Sequence, residues 1–367
     1  ILAELQRQGR ITNADLADGR GAKMFFLGGN FDYQLENGWS ISDRFLFDAG
    51  DMDTNALFSG NNPASLADML YNPNTPGGFN LPAGSATATY TTGGAVPLDQ
   101  SVIQQGWWHI HKHLKSFNND FRLSRELFEG NTLTIGLYYA HYSMADKWSL
   151  GNQMLMTNTP NATPIAVTYV DGGQTYYRTD GQGFADFGGY HIAQRGSATN
   201  KAIYVSDSWR VGQWLLDLSG RLENQDAKSD VCNMTNQDLD GNPRTLYDNA
   251  VPVCNGTYAH NEYDKTHPSW TAGANYSFNE HTSAYGRVNT GGHFLDFDNG
   301  IRGTPNDNSP PLQKIRNYEV GFKYQSPLVY VDLSAYHRVF TGLQYQPTDG
   351  LGTPVGSPQI YGSKSNG

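Results

Sequence analysis

Charge is scarce in this chain. Asp, Glu, Lys and Arg make up only 16% of its 367 residues, and the basic sign is the scarcer one, 25 against 35 acidic, for a net charge of −10. A nucleic-acid-binding surface needs a concentrated basic face, so the balance disfavours that class of partner. Long apolar runs are missing too. No segment approaches the roughly 18 consecutive apolar residues of a membrane-crossing helix, and mean hydropathy is −0.55. Any membrane crossing would have to be made by strands. Cysteine numbers only two, too few for a disulfide-dense scaffold. No Gly-x-Ser-x-Gly elbow, phosphate-binding loop or zinc motif occurs, so neither a catalytic residue nor a cofactor nor a resident metal is assigned. Ile1 and Gly367 read as the ends of a piece of a longer chain, with no secretory leader in it.

Aromatic residues are what the chain has instead: 13% of the total, with 22 Tyr and 7 Trp, beside 41 Gly. They fall in alternating segments. Phe25, Leu27, Gly29, Phe31 and Tyr33 take one face of a strand, and Phe26, Asn30, Asp32 and Gln34 take the other. Leu133, Ile135, Leu137 and Tyr139 repeat the pattern, as do Trp214, Leu216, Leu218 and Leu222, then Trp270, Ala272, Ala274 and Tyr276, then Val320, Phe322 and Tyr324 with Val331, Leu333 and Ala335. Tight polar turns join these segments in pairs, at Glu36–Gly38, Glu129–Asn131, Gly212–Gln213, Asn279–His281 and Gln325–Pro327. Long soft stretches separate one pair from the next. Short turns alternating with long loops are the mark of an outer-membrane barrel, whose inner turns are brief and outer loops long. A β-sandwich, with turns every 8–12 residues, does not alternate in that way. The predicted fold is all-β: an antiparallel transmembrane β-barrel, present in part as about ten strands, since an open edge cannot remain in lipid.

Trp39, Phe128, Trp214, Phe278 and Tyr324 all lie beside a short turn, as a headgroup-level aromatic girdle on the periplasmic side requires. The polar alternates Asp217, Arg221, Glu223, Glu319, Lys323, Asp332 and Arg338 are expected to face the lumen. The strand after Asn37-Gly38 is expected to run from Trp39 to about Ala49, with a loop over 50–105 containing a short helix near 63–71 capped by Asn62. Cys232 and Cys254 fall in one loop-like stretch and are expected to pair as a disulfide in an oxidising compartment.

Four stretches resemble the barrel of TonB-dependent outer-membrane receptors: Tyr204–Val211 with Leu216–Glu223, Pro268–Tyr276 with Ser283–Arg287, Asn317–Tyr324, and Asp15–Arg20 with Trp39–Arg44. Each is short, and their order and spacing carry the likeness. The resemblance implies that residues 1–367 are a partial barrel domain, without the plug and without the closing strands. It further implies a Gram-negative outer-membrane location, outer-membrane lipid around the wall, the TonB complex as a partner through the missing plug region, and import of a small nutrient ligand such as a siderophore or carbohydrate. A passive porin or adhesion barrel is the alternative.

Candidate ligand-binding residues are the aromatic and polar groups expected at the loop mouth and lumen: Trp107, Trp108, His109 and His111, followed by His293, Asp296 and Asp298. His109, His111 and His113 share one strand face, expected to be a polar stripe of the lumen. Alternate residues on a strand lie about 6.6 Å apart, too far for two imidazoles to share a metal without converging. Asn236–Gly241 imitates the first half of a calcium loop, but the Glu required at the twelfth position is Tyr247.

Overall fold

The computed structural model describes residues 15–294, 312–345, 347, 355–357 and 359–367. One antiparallel sheet dominates it. Its main path runs β1 (Arg20–Gln34), β2 (Trp39–Ser59), β5 (Ser101–Arg125), β6 (Asn131–Leu150), β10 (Tyr190–Val211), β11 (Trp214–Gln237), β12 (Val251–Asn279), β13 (Thr282–His293), β14 (Gln313–Gln325), β15 (Tyr330–Tyr345) and β16 (Gln359–Asn366). Each strand pairs with the next in that series, so the wall is an up-and-down meander. Among the described residues β1 and β16 are its free edges.

The five short turns fall where the alternation placed them, and each has a local chemical cause. Gly38, Gly130 and Gly212 adopt φ of 84°, 76° and 56°, a region costly for residues with a Cβ. Asn279 accepts a bond from the His281 N–H at 2.9 Å, and the Ser326 hydroxyl accepts one from the Val329 N–H at 3.1 Å.

Register fixes the faces, because paired residues point to the same side and alternate residues to opposite sides. Phe121, Leu137, Ile203, Leu222 and Pro268 form one continuous cross-strand row. Leu216, Ala274, Gly286, Val320 and Ala335 form another nearer the turns. These apolar side chains are open to the surroundings, Ile203 by 51%, Leu218, Val320 and Leu333 by 61% each. An exposed apolar band this broad on a sheet is a lipid-facing surface. Along its turn edge Phe128 packs edge-on to Trp209 at 5.7 Å, and Trp214 meets Tyr276 at 4.8 Å. The expected aromatic girdle is in place.

Strands outrun the expected ones at the loop end. β2 continues to Ser59 rather than stopping near Ala49, and β12 spans 29 residues, well beyond the ~9–11 that cross a bilayer. The sheet therefore continues past the lipid. Cys232 and Cys254 are bonded to each other, with Cα atoms 5.7 Å apart. Both lie within β11 and β12 rather than in a loop, next to an irregularity of register between Cys232 and Met234. A closure of this length contributes roughly 3 kcal/mol. Replacing both cysteines by serine is expected to raise trypsin cleavage between them while leaving the barrel's heat-resistant electrophoretic mobility unchanged.

The loops carry a hydrophobic core of their own. Helix α1 (Leu66–Tyr71) is capped by Ser65, not by Asn62: the Ser65 Oγ accepts from the Asp68 N–H at 3.1 Å and donates to its carboxylate at 2.7 Å. A two-residue strand, β3 (Ala64–Ser65), precedes it against β5. Leu66, Met69 and Leu70 pack with Val102, Leu155, Ile165 and Val167, all at or near zero exposure. β7 (Gln153–Thr157) adds itself to β5, and β4 (Ala86–Tyr90), β8 (Ile165–Asp171) and β9 (Gln174–Tyr177) form a separate three-stranded sheet. Loops 60–100 and 151–189 thus fold together as one cap.

Candidate functional site

The face opposite the lipid is polar and aromatic together. Near the turns Tyr204 on β10 lies over Gly136 on β6, its register partner, where a Cβ would sit 2.0 Å from the ring. Only glycine leaves room for that approach. The Tyr204 hydroxyl donates to Asp120 at 2.6 Å and accepts from Arg122 Nε at 3.0 Å. Arg221 reaches over the Tyr138 ring at 5.0 Å and donates to Glu223 at 2.7 Å. Asn200 donates to the other Glu223 oxygen at 3.0 Å, and Gln225 donates to the Tyr142 hydroxyl at 2.9 Å. Further along the wall Arg287 pairs with Asp217 at 2.6 Å, Tyr285 donates to Glu319 at 2.6 Å, and Lys323 pairs with Asp332 at 3.3 Å. The polar alternates expected on this face are there, and most are held by a neighbour.

Towards the loops the same face carries Trp108 and Phe58, whose ring centroids are 4.1 Å apart. Below them Lys112 lies over the Trp148 ring at 5.2 Å and pairs with the buried Asp146 at 3.5 Å, while Gln194 donates to Asp146 at 3.0 Å. The result is a ladder of rings and paired charges running from the mouth towards the periplasmic turns. Such a surface offers stacking faces and both hydrogen-bond polarities, with most of the charges named here held by a neighbour.

The candidates divide. Trp108 stands on this polar face. Trp107, His109, His111 and His113 do not: the unbroken register of β5 puts them on the side that carries Phe117 and Phe121 lower down. The expectation of a lumen-lining histidine stripe is corrected accordingly. Each histidine is held across the strand gap, His109 by Asn55 at 2.7 Å, His111 by Asp53 at 2.7 Å and His113 by Asp51 at 2.8 Å. The sequence gap of two made the ladder visible; its partners and its side were set by β2, whose extension was not foreseen. Burial holds the His109 imidazole below its usual value, opposed by Asp53 and reinforced by His111. Trp107 stacks on Phe184 of the cap at 6.4 Å. His293 ends β13, with β6, β10, β11 and β12 between it and β5, so the sheet does not bring it to the tryptophans. Asp296 and Asp298 lie outside the described residues. Reading the sequence missed Lys112, Asp146 and Trp148, although they sit at matching alternate positions on β5 and β6.

An exposed apolar belt, a turn-side aromatic girdle, a polar inner face and a folded loop cap define an outer-membrane β-barrel wall. The chain belongs to the family described as TonB dependent receptor-like, beta-barrel, whose profile matches residues 4–367. Its members are transport receptors of the Gram-negative outer membrane, not enzymes. Among solved structures, the ferric citrate transporter FecA is similar at 12% identity and a TM-score of 0.43, over 92% of this chain and 46% of that one. The ferric-catecholate import receptor Fiu from E. coli K12 is similar at 10% identity and 0.37, over 95% and 61%. The ferric yersiniabactin uptake receptor FyuA from Yersinia pestis is similar at 11% and 0.34, over 89% and 55%. The chain spans about half the length of these receptors. No curated protein matches it by sequence.

Proposed function

We propose that this chain is the ligand-conducting wall of a receptor that imports a siderophore, a carbohydrate or a similar bulky nutrient with energy delivered through TonB. A plug inside the wall, supplied by the intact protein, would meet the polar ladder of Asp120, Arg122, Tyr204, Arg221 and Glu223. The observation that carries the reading is the sidedness of the sheet: rings and paired charges on one face from mouth to turn, bare apolar side chains on the other. Recognition on such a wall comes from stacking and hydrogen bonds, with Trp108 and Phe58 as the first rings a ligand meets. Ferric siderophores are the first ligands to try.

The test is uptake by the intact receptor in a deletion strain, offered single ferric siderophores or oligosaccharides as the sole iron or carbon source. Uptake of one class, lost when TonB is removed, is the expected result. Trp108→Ala is expected to weaken binding of that ligand by roughly 2- to 10-fold, the range of one aromatic contact. Uptake that persists without TonB would identify a passive pore and overturn the reading.

A further inference from the structure

We propose that Asp238, Asp240 and Asp248, in the loop joining β11 to β12, form a calcium site that clasps this loop against the cap. The proposal depends on the outward direction of the long loops and not on which nutrient is imported.

A carboxylate oxygen from each of the three residues lies within 4.8 Å of the other two. A Ca²⁺ ion held about 2.4 Å from each ligand oxygen spans separations of that size. Asp238 and Asp240 are exposed and already have protein donors. Asp238 accepts from the Gly241 N–H at 2.8 Å, and Asp240 accepts from the Asn242 N–H at 2.7 Å and the Thr245 hydroxyl at 3.0 Å. Asp248 also receives hydrogen bonds from Thr245 and from its own backbone N–H, but it is only 4% exposed and its Oδ1 is buried without any hydrogen-bond partner. An orphaned carboxylate oxygen in a folded interior is costly unless a cation or donor reaches it. Among the described residues no lysine or arginine pairs with any of the three carboxylates. Burial, with Asp240 and Asp238 close by, pushes Asp248 up to about 6.

The donor set is all oxygen, which suits a hard cation and not zinc or copper. Outside the cell calcium reaches the concentrations at which sites with dissociation constants of roughly 10⁻⁴–10⁻³ M fill. Asp248 sits where the loop meets the cap. The Tyr177 N–H donates to the Arg244 carbonyl at 2.8 Å, and the Leu246 N–H donates to the Tyr177 carbonyl at 2.9 Å. Tyr247 packs on Phe187 at 5.1 Å, in a cluster that also holds Phe184, Val251 and Trp107. A cation here would remove the repulsion among the three carboxylates at the point where loop, cap and strand β5 converge, and so would set the shape of the mouth.

The probe is Tb³⁺ luminescence from the purified intact receptor at neutral pH, sensitised by Tyr247 beside Asp248, with Ca²⁺ as competitor. Saturable emission is expected, displaced by Ca²⁺ at roughly 0.1–1 mM. Asp240→Asn and Asp248→Asn are each expected to weaken binding by at least about 10-fold, while Asp226→Asn, elsewhere on β11, leaves it unchanged. Calcium is also expected to slow proteolysis of residues 238–250 relative to a chelator. Heat-resistant mobility identifies any variant that fails to fold, and the exposed Asp240 variant then decides. Absence of Ca²⁺-displaceable emission from the wild-type receptor would overturn the proposal, as would equal affinity in the folded Asp240 variant. Displacement by Mg²⁺ as readily as by Ca²⁺ would overturn the assignment to calcium.

Discussion

Arginine at Val320 is expected to destabilise the folded wall by about 2–4 kcal/mol, the cost of a cation on the lipid face at mid-bilayer. Val320 lies about half a span above the turn at Gln325–Pro327, in the row it shares with Gly286 and Ala335, and it is 61% exposed. Its row neighbours Gly286 and Ala335 carry no group that could receive a guanidinium. Ser334, opposite Gly321 on the polar side, lies at nearly the same depth. Ser334→Arg would place its charge among Tyr285, Glu319 and Asp332, where water and carboxylates are at hand, and is expected to cost less than about 1 kcal/mol. Urea titration of the two variants of the intact receptor, refolded into vesicles and read by heat-modifiable mobility, gives the comparison. Similar costs for both, or a larger cost at Ser334, would reverse the assignment of faces to β14 and β15. The same experiment tests the whole sheet, since register carries that face unbroken from Val320 through Ala274 and Leu216 towards β6.

What could be read from the sequence was whatever the bilayer imposes. Inside the membrane one face must be apolar and the other polar, so Leu133–Tyr139 and Trp214–Leu222 announced their strands and their sides. Beyond the lipid that requirement ends. Asp51, Asp53 and Asn55 continue β2 with polar residues, and their pairing with His113, His111 and His109 has no apolar alternation on β2 to announce it. The extension of β2 to Ser59 and the early start of β12 at Val251 were illegible for this reason. So was β16, whose Gln359–Asn366 is short and weakly patterned. The helix near residue 66 was legible in place but not in its cap, because the Ser65-x-x-Asp68 box outcompetes Asn62 only once β3 fixes where the chain enters. The disulfide was legible as a pair; its place on two strands was not. The cap was the least legible part. Its core joins Leu66, Val102, Leu155 and Ile165 from distant segments, and no one of those segments shows by itself which others it packs against. Trp108 was found because tryptophan stands out, whereas Lys112, Asp146 and Trp148 needed the register of β5 against β6 to be seen together.

Leu155→Ala is expected to have its effect in the loops and not in the barrel. Leu155 has zero exposure and belongs to the buried cluster that includes Leu66, Met69, Leu70 and Ile165. β7 holds it against β5 opposite Gln104, and its N–H donates to the Gly183 carbonyl at 2.9 Å. Truncation leaves a cavity that this surrounding of helix and sheet cannot fill, at a cost of about 2–5 kcal/mol. Such a loss raises local opening of the cap by roughly 30- to several-thousand-fold, because this cluster is a core separate from the ladder of the wall. On intact cells, added protease is expected to cut within residues 60–100 and 151–189 of the variant far faster than in the wild type. Its heat-resistant mobility should not change, since the strand ladder and the lipid face are untouched. Leu155→Met keeps the volume and is expected to stay within about 1.5 kcal/mol of the wild type. The wall's ladder of Asp120, Tyr204 and Arg221 should keep its contacts in the variant. Loss of heat-resistant mobility in step with loop cleavage would show instead that cap and wall unfold as one unit, and that the mouth is held by the barrel itself.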